Sequence, residues 1–169
     1  LEGDQKNDYL GNRGVTALGN NNFVIASPRD NDKVDGKENA GSVMLVSGTT
    51  GLQIGVTLVG DQKDDRLGNS GVTALGNNNF VIASSNDKVD GNDNAGSVML
   101  VNGTTGLQIG VTLEGDQKDD YLGYGGVTAL GNNNFVIASP LDDDSVGGKA
   151  NAGSVMLVSG ATGLQIGVT

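Results

Sequence analysis

The chain has 169 residues, 20 acidic side chains against 10 basic ones, a formal charge of −10, and 29 glycines, but no Cys, His or Trp. Without Cys or His there is no disulfide framework, thiolate metal site or imidazole base. The acidic excess opposes binding to the phosphates of nucleic acid and docking on anionic lipid, and no apolar run is long enough to insert in a membrane as a helix. The chain opens Leu1-Glu2-Gly3-Asp4, with neither an initiator Met nor a signal peptide, and so reads as a mature piece or an excised segment.

Self-similarity dominates the sequence. Gly-Val-Thr-Ala-Leu-Gly-Asn-Asn-Asn-Phe-Val-Ile-Ala-Ser starts at Gly14, Gly71 and Gly126. Asn-Ala-Gly-Ser-Val-Met-Leu-Val starts at Asn39, Asn94 and Asn151, and Thr-Gly-Leu-Gln-Ile-Gly-Val-Thr at Thr50, Thr105 and Thr162. The chain thus divides into three units, residues 1–57, 58–112 and 113–169.

In unit one, a leading segment from Gly3 to Gly14 precedes a first β-like block, Val15–Leu18. Gly19-Asn20-Asn21-Asn22 tolerates positive φ and predicts a tight hairpin. The second block, Phe23–Ser27, is apolar on both faces, as in a strand covered on both sides, and its small Ala26 and Ser27 allow a neighbouring sheet to come close. A middle loop, residues 28–41, carries the length differences between units, as loops do. The third block is Ser42–Val46, and Ser47–Gly51 is a second turn. The fourth block alternates: Leu52, Ile54, Val56 and Leu58 are expected on one buried face, with Gln53, Gly55 and Thr57 on the other. Nothing carries a helical period.

Four strands in some 55 residues, repeated, predict an all-β fold of β-propeller blades, each a four-stranded antiparallel meander. Phe23 and Met44 then fill the space between blades, and a β-solenoid with parallel rungs is the alternative. The unit resembles the FG-GAP repeat, the blade of integrin α-chain propellers and bacterial surface proteins. The resemblance rests on Leu10-Gly11-x-x-Gly14-Val15-Thr16-Ala17, Phe23–Pro28 and Ala40–Val46, with Leu-Gly in place of Phe-Gly and Ala-Ser-Pro or Ala-Ser-Ser in place of Gly-Ala-Pro. It implies a propeller and an extracellular or cell-surface setting. Many blades of that family bind calcium between their first two strands. Here that place holds Gly-Asn-Asn-Asn, so the family's site is not carried over. Propellers close with about four to eight blades. Three units leave end faces open, to be completed by other copies of the chain packed head to tail, with an open array along a longer parent chain as the alternative.

Candidate ligand groups lie in the acidic loops. Asp30, Asp32 and Asp35 in unit one, Asp87 and Asp90 in unit two, and Asp142 and Asp144 in unit three supply hard oxygen ligands of the kind that suits calcium, or simply a solvated loop. Their set changes between units, since Gly147 replaces the last Asp in the third. The Gly-Asp-Gln openings at Asp4, Asp61 and Asp116, each followed by further acids (Asp8, Asp64 and Asp65, Asp119 and Asp120), suggest Asx-turns, with a metal role as the alternative. The neighbours Asp64/Asp65 and Asp119/Asp120 read as exposed pairs with nothing to separate their pKa values, and so not as glycosidase acids. Tyr9, Tyr121 and Tyr124 offer a sugar platform or cover a blade edge, and the Asn triplets are hairpin chemistry or ligand-facing amides. No catalytic residue is assigned. The expected role is a non-enzymatic surface scaffold for self-assembly or adhesion. The alternative is a binding module for surface glycans, proteins or calcium, and no cofactor is required.

Overall fold

A computed structural model describes residues 1–3, 5–31, 36–143 and 148–167. Unit one forms β1 (Val15–Ala17), β2 (Asn22–Ser27), β3 (Ser42–Ser47) and β4 (Gln53–Val59), hydrogen-bonded in that order. The second sheet is β5 (Gly71–Ala74), β6 (Phe80–Ser84), β7 (Ser97–Val101) and β8 (Leu113–Glu114). The third has β9 (Val127–Ala129), β10 (Phe135–Ser139) and β11 (Ser154–Val158), and among the described residues its fourth block adds a bridge between Val158 and Gln165. All the strand pairs are antiparallel, which overturns the parallel-rung alternative. β4 and β8 reach past the repeat boundaries, so each of those sheets ends on residues of the following unit.

The sheets stack face to face. β6 is buried along its whole length because its alternate residues serve two cores. Phe80 and Ile82 pack with Val24, Ala26, Val43 and Leu45 of unit one. Val81 and Ala83, on the opposite face, join Val98 and Leu100 against Phe135, Ile137 and Val158 of unit three. Neither core joins the first unit to the third, and the described residues close no ring.

Each seam is also backbone to backbone. Arg66 and Leu67 N–H donate to Asn39 and Ala40 carbonyls at 3.0 and 2.9 Å, and Tyr121 and Leu122 N–H to Asn94 and Ala95 carbonyls at 2.9 Å. Glycine is required beside these bonds. Gly41 and Gly96 have φ of +79° and +84°, and a Cβ there would lie 2.3 Å from Leu67 N and 2.5 Å from Leu122 N. The Asn triplets serve both as turn and as clamp: Asn20 and Asn22 amides donate to Gly103 O in the next unit, and Asn77 and Asn79 to Gly160 O. Thr16 and Thr73 hydroxyls tie the first strands together through Val72 O and Val127 O.

The fourth block departs from expectation. The register of β3 and β4 slips between Val43 and Leu45, and Gly55 sits there at φ +69°. The bulge breaks the period of two. Ile54 and Leu58 turn toward the core, while Leu52 and Val56 are exposed.

Candidate functional site

Two acidic segments that are distant in sequence meet at one end of a hairpin. The leading segment enters β5 and the middle loop leaves β6, so antiparallel pairing sets them side by side. Ser70 N–H donates to Ala83 O at 3.0 Å and Gly68 N–H to Ser84 Oγ at 2.9 Å. Asp61 and Asp65 from the leading segment and Asp87 from the loop thereby bring carboxylate oxygens within 4.8 Å of one another. Asp116, Asp120 and Asp142 do the same in unit three.

The middle acid of each trio is the best-buried one. Asp65 is 1 % exposed and Asp120 0 %. Each is anchored through Oδ2 by the N–H of the Gln three residues earlier, Gln62 at 2.5 Å and Gln117 at 2.7 Å. The turn bond therefore runs from Gln to the later Asp rather than as the expected Asx-turn of Asp61 or Asp116. Oδ1 faces the middle loop, 3.4 Å from Lys88 N for Asp65 and 3.3 Å from Asp143 N for Asp120.

Burial, with Asp61 alongside, pushes the Asp65 carboxyl up to about 7. Burial also raises Asp87, against the opposing bond from the Ser97 hydroxyl. Asp120 is raised by burial too, against N–H bonds from Gln117 and Asp143. The expectation that Asp64/Asp65 and Asp119/Asp120 are equivalent exposed pairs is thus incorrect. In each pair the first acid faces water, and the second is enclosed by its own turn and by the loop. The trio of unit two opens into a cleft of about 350 Å³, whose lining includes Asp90, Ser97 and Glu114.

Of the acids singled out in the sequence, Asp87 and Asp142 fall in these trios. Asp90 lines the cleft without joining the trio, and Asp32, Asp35 and Asp144 lie outside the described residues, as does Asp4. Asp30 holds the place of Asp87 and Asp142: its carbonyl accepts from Gly41 N–H, as theirs do from Gly96 and Gly153. Asp61, Asp65, Asp116 and Asp120, for which a metal role stood as the alternative to a turn, are joined here to acids of the middle loop, a pairing that a loop-by-loop reading misses. The signal that finds them is a spacing of four and then twenty-two residues, present at 4, 8 and 30, at 61, 65 and 87, and at 116, 120 and 142. Of the aromatic candidates, the Tyr121 and Tyr124 rings meet at 6.0 Å, and Tyr9 and Tyr124 are exposed.

A family model described as a repeat of unknown function (DUF5650) matches residues 17–69, 74–124 and 129–169. Its first two matches join the later strands of one unit to the leading segment of the next, the segment that forms the seam. No curated protein matches the chain.

Proposed function

We propose that this chain, which belongs to the family of repeats of unknown function (DUF5650), is a non-enzymatic scaffold whose units stack as propeller blades and which assembles head to tail with further copies of itself. The observation that carries this reading is a difference between identical residues. Val43 and Val98 are each 1 % exposed at the internal seams, whereas Val155, their counterpart on the open face of unit three, is 66 % exposed. Ala152 is exposed and Ala138 and Leu157 are half-buried, whereas their counterparts Ala95, Ala83 and Leu100 are buried. Val155, Ala138 and Ala152 line an apolar groove of about 490 Å³ together with Gly125, Pro140 and Gly153. At the other end of the stack, Leu10 and Phe23 are only half-buried, although Leu67 and Phe80 are buried by unit one.

The two internal seams indicate what fits such a face: the leading segment and second strand of another unit. Unit one of a second copy offers the same residues to unit three of the first, and heterologous contacts of this kind close into rings or extend as arrays. The FG-GAP resemblance favours a ring and an extracellular or cell-surface setting. Sedimentation equilibrium tests the assembly. Association into multiples of 17.1 kDa is expected, and a strict monomer at high concentration would overturn the reading.

A further inference from the structure

We propose that units two and three each hold a divalent cation of the hard, oxygen-seeking type, calcium, through Asp61, Asp65 and Asp87 and through Asp116, Asp120 and Asp142. Three like charges brought this close repel one another unless protons or a cation intervene. The surroundings favour the cation, and unit one supplies the independent sign. Its counterpart of Asp65 is Asp8, 3 % exposed, whose Oδ2 takes the Gln5 N–H as in the other units. Its Oδ1 is buried with no hydrogen-bond partner. Asp8 thus shares the Gln anchor of Asp65 and Asp120, whose Oδ1 atoms lie against the middle loop beside the third acid and accept from Lys88 and Asp143 N–H. A carboxyl oxygen buried without a partner is costly, and a nearby cation would satisfy it.

The donor set selects the type of ion. A chain with no His and no Cys has no nitrogen or sulfur ligand of the usual zinc kind. Carboxylates from two separate segments, with room in the cleft for water, suit the six to eight oxygens of calcium better than the strict octahedron of magnesium. Glu114 on the cleft wall is a further oxygen donor in unit two. This site lies between the leading segment and the middle loop, not at the turn between the first two strands.

The test is calorimetric titration of the chelator-treated full chain with calcium chloride at neutral pH, with a melting curve in calcium and in EDTA. Saturable binding at two or more sites per chain and a melting temperature raised by calcium are expected. The double variant Asp65→Asn/Asp120→Asn should lose both effects. Asp64→Asn/Asp119→Asn, with the same charge change one residue away, should keep them. Should the first variant fail to fold by circular dichroism, Asp87→Asn/Asp142→Asn, at less buried positions, takes its place with the same expected loss. A folded chain that gives neither heat nor a melting shift in millimolar calcium would overturn the proposal and leave the acids as a proton-sharing cluster. Undiminished binding in the folded acid-to-amide variants would overturn it as well.

Discussion

Val155→Asp separates assembly from folding. In unit three this side chain is 66 % exposed, whereas Val43 and Val98 are 1 % exposed against the next unit. Their Cγ2 atoms lie 3.2 and 3.1 Å from where Cβ atoms on Gly68 and Gly123 would stand. In a head-to-tail contact Val155 would meet Gly11 of the second copy in the same way. Full burial of a Val contributes about 1.5–3 kcal/mol, so the two thirds still to be buried contribute about 1–2 kcal/mol. A carboxylate pressed on that backbone without a partner costs at least about 1–3 kcal/mol more. A total near 3 kcal/mol weakens association by more than about a hundredfold. The fold should lose no more than about 1 kcal/mol, the span of strand propensities, because little of the native packing rests on this side chain. Sedimentation velocity across a concentration series, with urea melts on the same samples, reads both quantities. A variant that melts like the parent and still associates like it would refute the reasoning.

The seams have further consequences. Gly41→Ala must push Leu67 N away and strain a φ of +79°, costing more than about 1 kcal/mol and lowering the melting temperature by at least about 2–4 °C in calorimetry. Asn20→Ala with Asn77→Ala removes amide bonds to Gly103 O and Gly160 O and should cost about 1 kcal/mol at each seam in urea unfolding. Leu100→Ala opens a cavity in the core between units two and three and should cost about 2–5 kcal/mol, whereas Leu157→Ala, the same change on the open face, should cost clearly less in the same assay. Equal losses at the two leucines would contradict the open-face reading.

The strands are legible because repetition and turn chemistry agree. The Asn triplets fix the first hairpin, with Asn21, Asn78 and Asn133 at φ of 63°, 67° and 67°. The two-sided apolar block of Phe23–Ser27 predicts a strand with neighbours on both faces, and β6 has them. The fourth block defeats its pattern because alternation presumes an unbroken pleat. Gly55, Gly110 and Gly167, at φ of 69°, 71° and 80°, break it at the same place in each unit. A glycine inside an alternating run is the local sign of such a bulge. The backbone hydrogen bonds between units leave no mark of their own in the apolar pattern. Only the glycines that permit them, such as Gly41 and Gly96, are visible as letters, and their need for closeness depends on what faces them.

The acid trios escape a loop-by-loop reading for a topological reason. Such a reading takes each loop as a ligand set in itself, and Asn31-Asp32-Lys33-Val34-Asp35-Gly36 invites alignment with Asn86-Asp87-Lys88-Val89-Asp90-Gly91, which pairs Asp87 with Asp32. The backbone assigns the partner differently. The N–H groups of Asp30, Asp87 and Asp142 donate to Ser27, Ser84 and Ser139, so the count runs from the end of the second strand and the two-residue difference falls later in the loop. Counted from the strands, the third acid is kept in all three units, and the apparent drift of ligands belongs to the outer part of the loop. An antiparallel hairpin sets the segment before its first strand beside the segment after its second. Acids twenty-two residues apart are therefore neighbours by construction, and the invariant spacing arises from that constraint rather than from the composition of either loop.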